Sequence, residues 1–130
     1  MRAVKAMLIL LLLLLPVCAG AAAQTPVIRA VLIGCDTFVT MQNTAPSSEN
    51  NVDNMAELLC GGTVMPEVLI TRKNEIASTE AFAQLVSMAF AEAQPGDISC
   101  LYISTHGVRT ESGGFGLMLS DGTAEALLTS

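Results

Sequence analysis

The residues best suited to chemistry sit in one tetrapeptide, Ser104-Thr105-His106-Gly107. His106 is the single histidine of the chain. Imidazole is the side chain whose unperturbed pKa lies near neutrality, so it can take and give a proton at physiological pH. Gly107 beside it has no side chain, which lets a substrate approach the backbone and reach an N–H. A second pair, Cys35-Asp36, follows an earlier apolar run. A thiol within hydrogen-bonding reach of an imidazole is a candidate nucleophile. Each of these residues also has a plainer reading. His106 could be a strand-end histidine bonded to a loop, Cys35 a small hydrophobe finishing a strand, and Asp36 a turn residue.

The elements that must position these groups follow from periodicity. Val27 to Phe38 reads VIRAVLIGCDTF, and its centre, Ala30 to Ile33, is continuously apolar. That pattern suits a strand buried on both faces of a parallel sheet. Met41 to Glu49 is polar and contains Pro46, so it reads as a loop. Asn50 to Cys60 is expected to be helical, because Val52, Met55, Ala56 and Leu59 share one face. Ser48 or Asn50 would cap it and Gly61-Gly62 would stop it. Glu67 to Thr71 is a short strand, and Arg72 to Ala77 a polar connection. Ser78 to Ala93 is a second helix, with Phe82, Leu85, Val86, Ala89 and Phe90 as its stripe and Ser78 as its N-cap. Ile98 to Ser104 is a third strand, Phe115 to Ser120 is a fourth apolar run that belongs to a hairpin, and Asp121-Gly122 after it is a turn signal. Thr123 to Leu128 reads as the start of another helix.

Strands alternating with helices predict an α/β fold with a parallel sheet and right-handed crossovers. Ligands of such sheets bind beyond the carboxyl ends of the strands. Cys35-Asp36 and Ser104 to Gly107 both lie there. If the first and third strands are neighbours, the two groups face one crevice.

Composition narrows the function classes. Arg2 and Lys5 precede an apolar run with six leucines, Leu10 to Leu15, and then the small residues Ala19 to Ala23. Residues 1–23 therefore have the layout of a secretory signal peptide, which predicts an exported protein. The alternative is an uncleaved anchor, since Ala6 to Ala23 carries no charge. In that case the membrane is touched only through residues 1–23. Cleavage near Gln24 would remove Arg2 and Lys5 and take the formal charge from -6 to -8. With no basic cluster, no nucleic-acid partner is expected. Cys35, Cys60 and Cys100 would remain, an odd number whose spacing fits no zinc site. No metal and no cofactor is expected, and no disulfide framework. No Gly-x-Gly-x-x-Gly and no Gly-Lys-Ser/Thr marks a nucleotide site.

The ordered segments IRAVLIGCDTF, ENNVDNMAELL and DISCLYISTHG, followed by a glycine-containing hairpin ending in LSDG, resemble the caspases, metacaspases and clostripain-type cysteine peptidases. The likeness runs from Arg29 to Leu128. It rests chiefly on an apolar strand leading straight into Ser-x-His-Gly and on a hairpin closing at Asp-Gly. It implies a three-layer α/β sandwich with a mainly parallel sheet, here incomplete at the C-terminus, over residues 27–130. It further implies that His106 is the catalytic histidine, which shuttles a proton to the leaving amine. Gly107 would offer its N–H to the oxyanion, and Ser104 would line the first specificity pocket. Ser48 and Asn51 stand where metacaspases carry a cysteine and an aspartate, the latter a ligand for basic side chains. Asp36 and Glu49 are candidate substitutes in substrate binding, and Cys35 is a further candidate there.

In caspases the nucleophilic cysteine follows the histidine by roughly 50 residues. Here 24 residues follow His106 and none is cysteine. The expectation is a cysteine endopeptidase represented by its N-terminal portion, truncated before the nucleophile strand and inactive alone. Peptides or proteins would be its substrates. The alternatives are a non-catalytic caspase-like module that binds peptides or proteins, or a Cys35-His106 pair acting as the dyad. The sequence does not fix the oligomeric state.

Overall fold

The computed structural model describes residues 25–41, 47–61, 67–74 and 76–129. The signal-like segment 1–23 lies outside the described residues. The elements are β1 (Val27–Gly34), α1 (Ser48–Gly61), β2 (Glu67–Asn74), α2 (Thr79–Phe90), β3 (Ile98–Ser104), β4 (Gly107–Arg109), β5 (Phe115–Ser120) and β6 (Glu125–Thr129). They form two three-stranded sheets. The first is parallel, in the order β2-β1-β3; the second is antiparallel, in the order β4-β5-β6.

The continuous apolar run of β1 is explained by its central place. Alternation sends Ala30 and Leu32 to one face and Val31, Ile33 and Cys35 to the other. Ala30 and Leu32 pack with Val52, Met55, Ala56 and Leu59 of α1. Val31, Ile33 and Cys35 pack with Phe82, Leu85, Val86, Ala89 and Phe90 of α2. Helix, sheet and helix are therefore three layers of an α/β sandwich. Val31, Leu32 and Ile33 are each 0% exposed, and burial of each contributes about 2 kcal/mol.

Two local devices fix where the helices sit. Gly34 has no Cβ, and one built there would lie 3.0 Å from the Ser48 carbonyl oxygen and 3.1 Å from Val52 Cγ2. The glycine lets the N-terminus of α1 press onto the end of β1. Ser78 caps α2, its Oγ accepting from the Ala81 N–H at 3.0 Å. At the opposite edge, Asp97 ties three segments together. Its carboxylate accepts from Val27 N at 3.0 Å, Gln94 N at 3.0 Å and Arg29 Nε at 3.2 Å.

The expected boundaries change in several places. α1 opens at Ser48, within the stretch expected to be a loop, because Asp36 caps its first turn, and α2 ends at Phe90 rather than Ala93. β2 extends through Arg72 to Asn74, residues read above as a connection, because each pairs with Leu32, Ile33 or Gly34 along β1. The expected helix over Thr123 to Leu128 is not formed. Asp121 Oδ1 accepts from Thr123 N and Ala124 N, each at 2.8 Å. That carboxylate resembles a helix cap locally, but the Asp121 N–H bonds back to the Ala124 carbonyl at 3.3 Å and closes a turn. Glu125 to Thr129 then pairs antiparallel with β5, and Ala126 and Leu128 join the core on the α2 side. Tertiary burial of these two side chains overrides the local helix signal.

Candidate active site at the carboxyl ends of β1 and β3

β1 and β3 are adjacent and end level, with Gly34 opposite Ser104. The ladder runs one step further, the Cys35 N–H donating to the Ser104 carbonyl at 3.1 Å. Cys35-Asp36 and Ser104 to Gly107 thus share one end of the sheet, as the crevice argument requires. A cavity of about 190 Å³ opens there, lined by Cys35, Ser47, Ser48, Asn51, Ser104, Thr105 and His106.

The side chains enter this site from different elements. β3 places Tyr102 on the α1 face and Ile103 on the α2 face. Alternation therefore returns Ser104 to the α1 side, where its Oγ accepts from Asn51 Nδ2 at 3.1 Å. Thr105 and His106 are clamped to β5 through a single residue. The Thr105 hydroxyl donates to the Met118 carbonyl, and the Met118 N–H donates to the His106 carbonyl at 2.9 Å. The His106 ring lies against Phe38, with centroids 5.0 Å apart and planes at 59°, a tilted arrangement favoured between aromatic rings.

The same hydrogen bond fixes the direction of the Gly107 N–H. Gly107 is opposite Leu117 in the β4–β5 pairing. A bond from residue 118 to residue 106 makes this a non-hydrogen-bonded pair, in which the N–H of each member points away from the partner strand. Gly107 N–H therefore points away from β5, and β4 is the outer strand of its sheet. A Cβ at Gly107 would overlap the Phe115 ring, so the glycine also permits a close cover of its α-carbon.

Asp36 is turned toward α1. Its Oδ1 accepts from Ser48 N at 2.7 Å and its Oδ2 from Glu49 N at 3.1 Å. Burial alone would raise its pKa, but the backbone N–H groups of Glu49 and Ser48 outweigh it and hold the carboxyl below its usual range. Glu49 itself is exposed on the first turn. Cys35 is 1% exposed and packs in the α2-side core. Cys60 is exposed and Cys100 packs on the α1 side of the sheet. Among the described residues, no three histidine, cysteine or acidic side chains converge as a metal site would require.

Two contributors were not visible in the sequence. Phe38 supports the imidazole from a loop 68 positions away. Glu125 holds that loop: its carboxylate accepts from the Val39 N–H, from the Thr40 N–H at 2.9 Å and from the Thr40 hydroxyl at 2.6 Å. Both contacts join segments far apart in sequence, and no short motif signals either. The Thr40 hydroxyl, with the Thr40 and Val39 N–H groups, keeps the Glu125 carboxyl below its usual pKa.

A family model described as the caspase domain matches residues 28–127. The chain belongs to this family, whose members are cysteine peptidases acting on proteins. Searches of the curated proteins and of the solved structures give no significant match.

Proposed function

We propose that this chain carries the histidine and oxyanion half of a caspase-type cysteine endopeptidase site. The observation that carries the reading is the geometry around residue 106. His106 stands at the shared end of β1 and β3, and the hairpin register directs the Gly107 N–H away from its neighbouring strand. In peptide cleavage a thiolate bonds to the scissile carbonyl carbon, and the carbonyl π pair moves onto oxygen. Gly107 N–H would stabilise that oxyanion. His106 would then give its proton to the leaving amine as the C–N bond breaks and the acyl-thioester forms. Ser104 belongs to the substrate pocket, and Asp36 supports it by holding α1 in place.

The nucleophile is not one of the cysteines at 35, 60 and 100. Cys35 borders the cavity but is 1% exposed and packs in the α2-side core, and Cys60 and Cys100 are not among the lining residues, so the described residues bind peptides without cleaving them. The second reading, a peptide-binding caspase-like module, is favoured by the same placement of the cysteines. The layout of residues 1–23 supports export, with membrane anchoring through that segment as the alternative.

A peptidyl acyloxymethyl ketone, which alkylates thiolates beside a peptide-binding site, tests this. Intact mass measurement after incubation should show no adduct at Cys35. An adduct at Cys35 that disappears in His106→Ala would replace this reading with a Cys35-His106 dyad.

A further inference from the structure

We infer that the cavity beside His106 selects an uncharged hydrogen-bonding side chain, above all a carboxamide, on the residue preceding the scissile bond. The inference rests on the peptidase reading of His106 and Gly107 and adds the substrate class to it.

The lining carries the argument. Ser47, Ser48, Asn51, Ser104 and Thr105 supply hydroxyls and one carboxamide. Among the described residues, Asn51 Nδ2 to Ser104 Oγ is the single hydrogen bond of the Asn51 side chain. A primary amide has two N–H donors and a carbonyl acceptor. One N–H and the carbonyl of Asn51 are therefore left to pair with a ligand that itself both donates and accepts. A carboxamide does both in one plane.

Charged side chains meet no counter-charge. Among the described residues no carboxylate lines the cavity: Asp36 turns its two oxygens to the Ser48 and Glu49 N–H groups, and Glu49 is exposed. An ammonium or guanidinium entering it would be desolvated without a partner. An anion fares no better. Among the described residues His106 is the one lining group that can carry positive charge, and its proton is committed to the leaving amine; no lysine or arginine joins it, and the first N–H groups of α1, the natural anion site of a helix end, already hold Asp36. An apolar side chain of similar size would leave the Asn51 amide unpaired.

The test titrates the purified, isotope-labelled full chain with acetylated peptides that differ only in their last residue: Asn, Gln, Arg, Asp or Leu. Backbone resonances report the binding. The Asn or Gln peptide should shift Asn51, Ser104 and Thr105 and saturate at a concentration at least tenfold below the Arg, Asp and Leu peptides. Asn51→Asp should reverse the order in favour of Arg. Ser104→Ala, a smaller change, should weaken the Asn peptide several-fold and leave the Leu peptide unchanged. Equal binding of all five peptides, or tighter binding of Arg or Asp to the unaltered chain, would overturn the selectivity while leaving a peptide site at His106. Failure of every peptide to shift His106 and Gly107 would overturn both.

Discussion

Asp36 shows how a residue beside the site acts through structure. It follows β1 by two positions and reaches across to the first turn of α1, where it accepts from two N–H groups that the helix cannot use itself. α1 bears Asn51, so this contact sets the wall of the cavity. The pH consequence follows from the sign of the shift. The carboxyl titrates lower in the folded chain than in the unfolded one. Its stabilisation is therefore complete above the unfolded pKa of about 3.9 and is lost as pH falls through the lower folded value. Asp36→Asn should lower the urea midpoint at pH 7 and flatten its decline between about pH 5 and pH 2. Circular dichroism across that range checks this; an unchanged pH slope would show that the carboxylate does not cap α1.

At the scale of elements, β6 and the loop after β1 form one support for the imidazole. Glu125 begins β6 and grips Val39 and Thr40, next to the Phe38 ring on which His106 rests. Glu125→Gln keeps the size but loses an acceptor oxygen and the charge that strengthens these bonds. Amide hydrogen exchange at Val39 and Thr40 should quicken several-fold, with little change at Val31 and Leu32. Equal exchange in both proteins would remove Glu125 from the account. This arrangement also shows what could be read in advance. β3 was legible to its last residue, because a mainly apolar, β-prone run, Ile98 to Ser104, stands between the turn residues Pro95-Gly96-Asp97 and Thr105. The stripe of α2 and its Ser78 cap were equally local. β6 was not legible, since Asp121 and Thr123 to Leu128 satisfy a helix start as well as a turn and a strand. Only pairing with β5 and burial of Ala126 and Leu128 decide between them. The start of α1 at Ser48 was blurred for a related reason, as its cap comes from Asp36, twelve residues earlier.

For the molecule as a whole, the three layers bring every candidate group to one end of the parallel sheet. Cys35, Asp36, Ser104, His106 and Gly107 all close or follow apolar strands in the sequence, and the adjacency of β1 and β3 brings them to one end of the sheet. Cys35 borders the same cavity as His106, but alternation along β1 buries it in the α2-side core, where it is 1% exposed. Family membership over residues 28–127 and this geometry meet in one claim: His106 and Gly107 together receive a peptide carbonyl. The most direct measurement is the response of the Gly107 amide proton and the His106 ring protons to a saturating unlabelled peptide. The account predicts that both shift with the same saturation curve, the Gly107 proton downfield as it enters a hydrogen bond. Shifts confined to the outer face of the β4-β5-β6 sheet, with Gly107 and His106 unmoved, would contradict it.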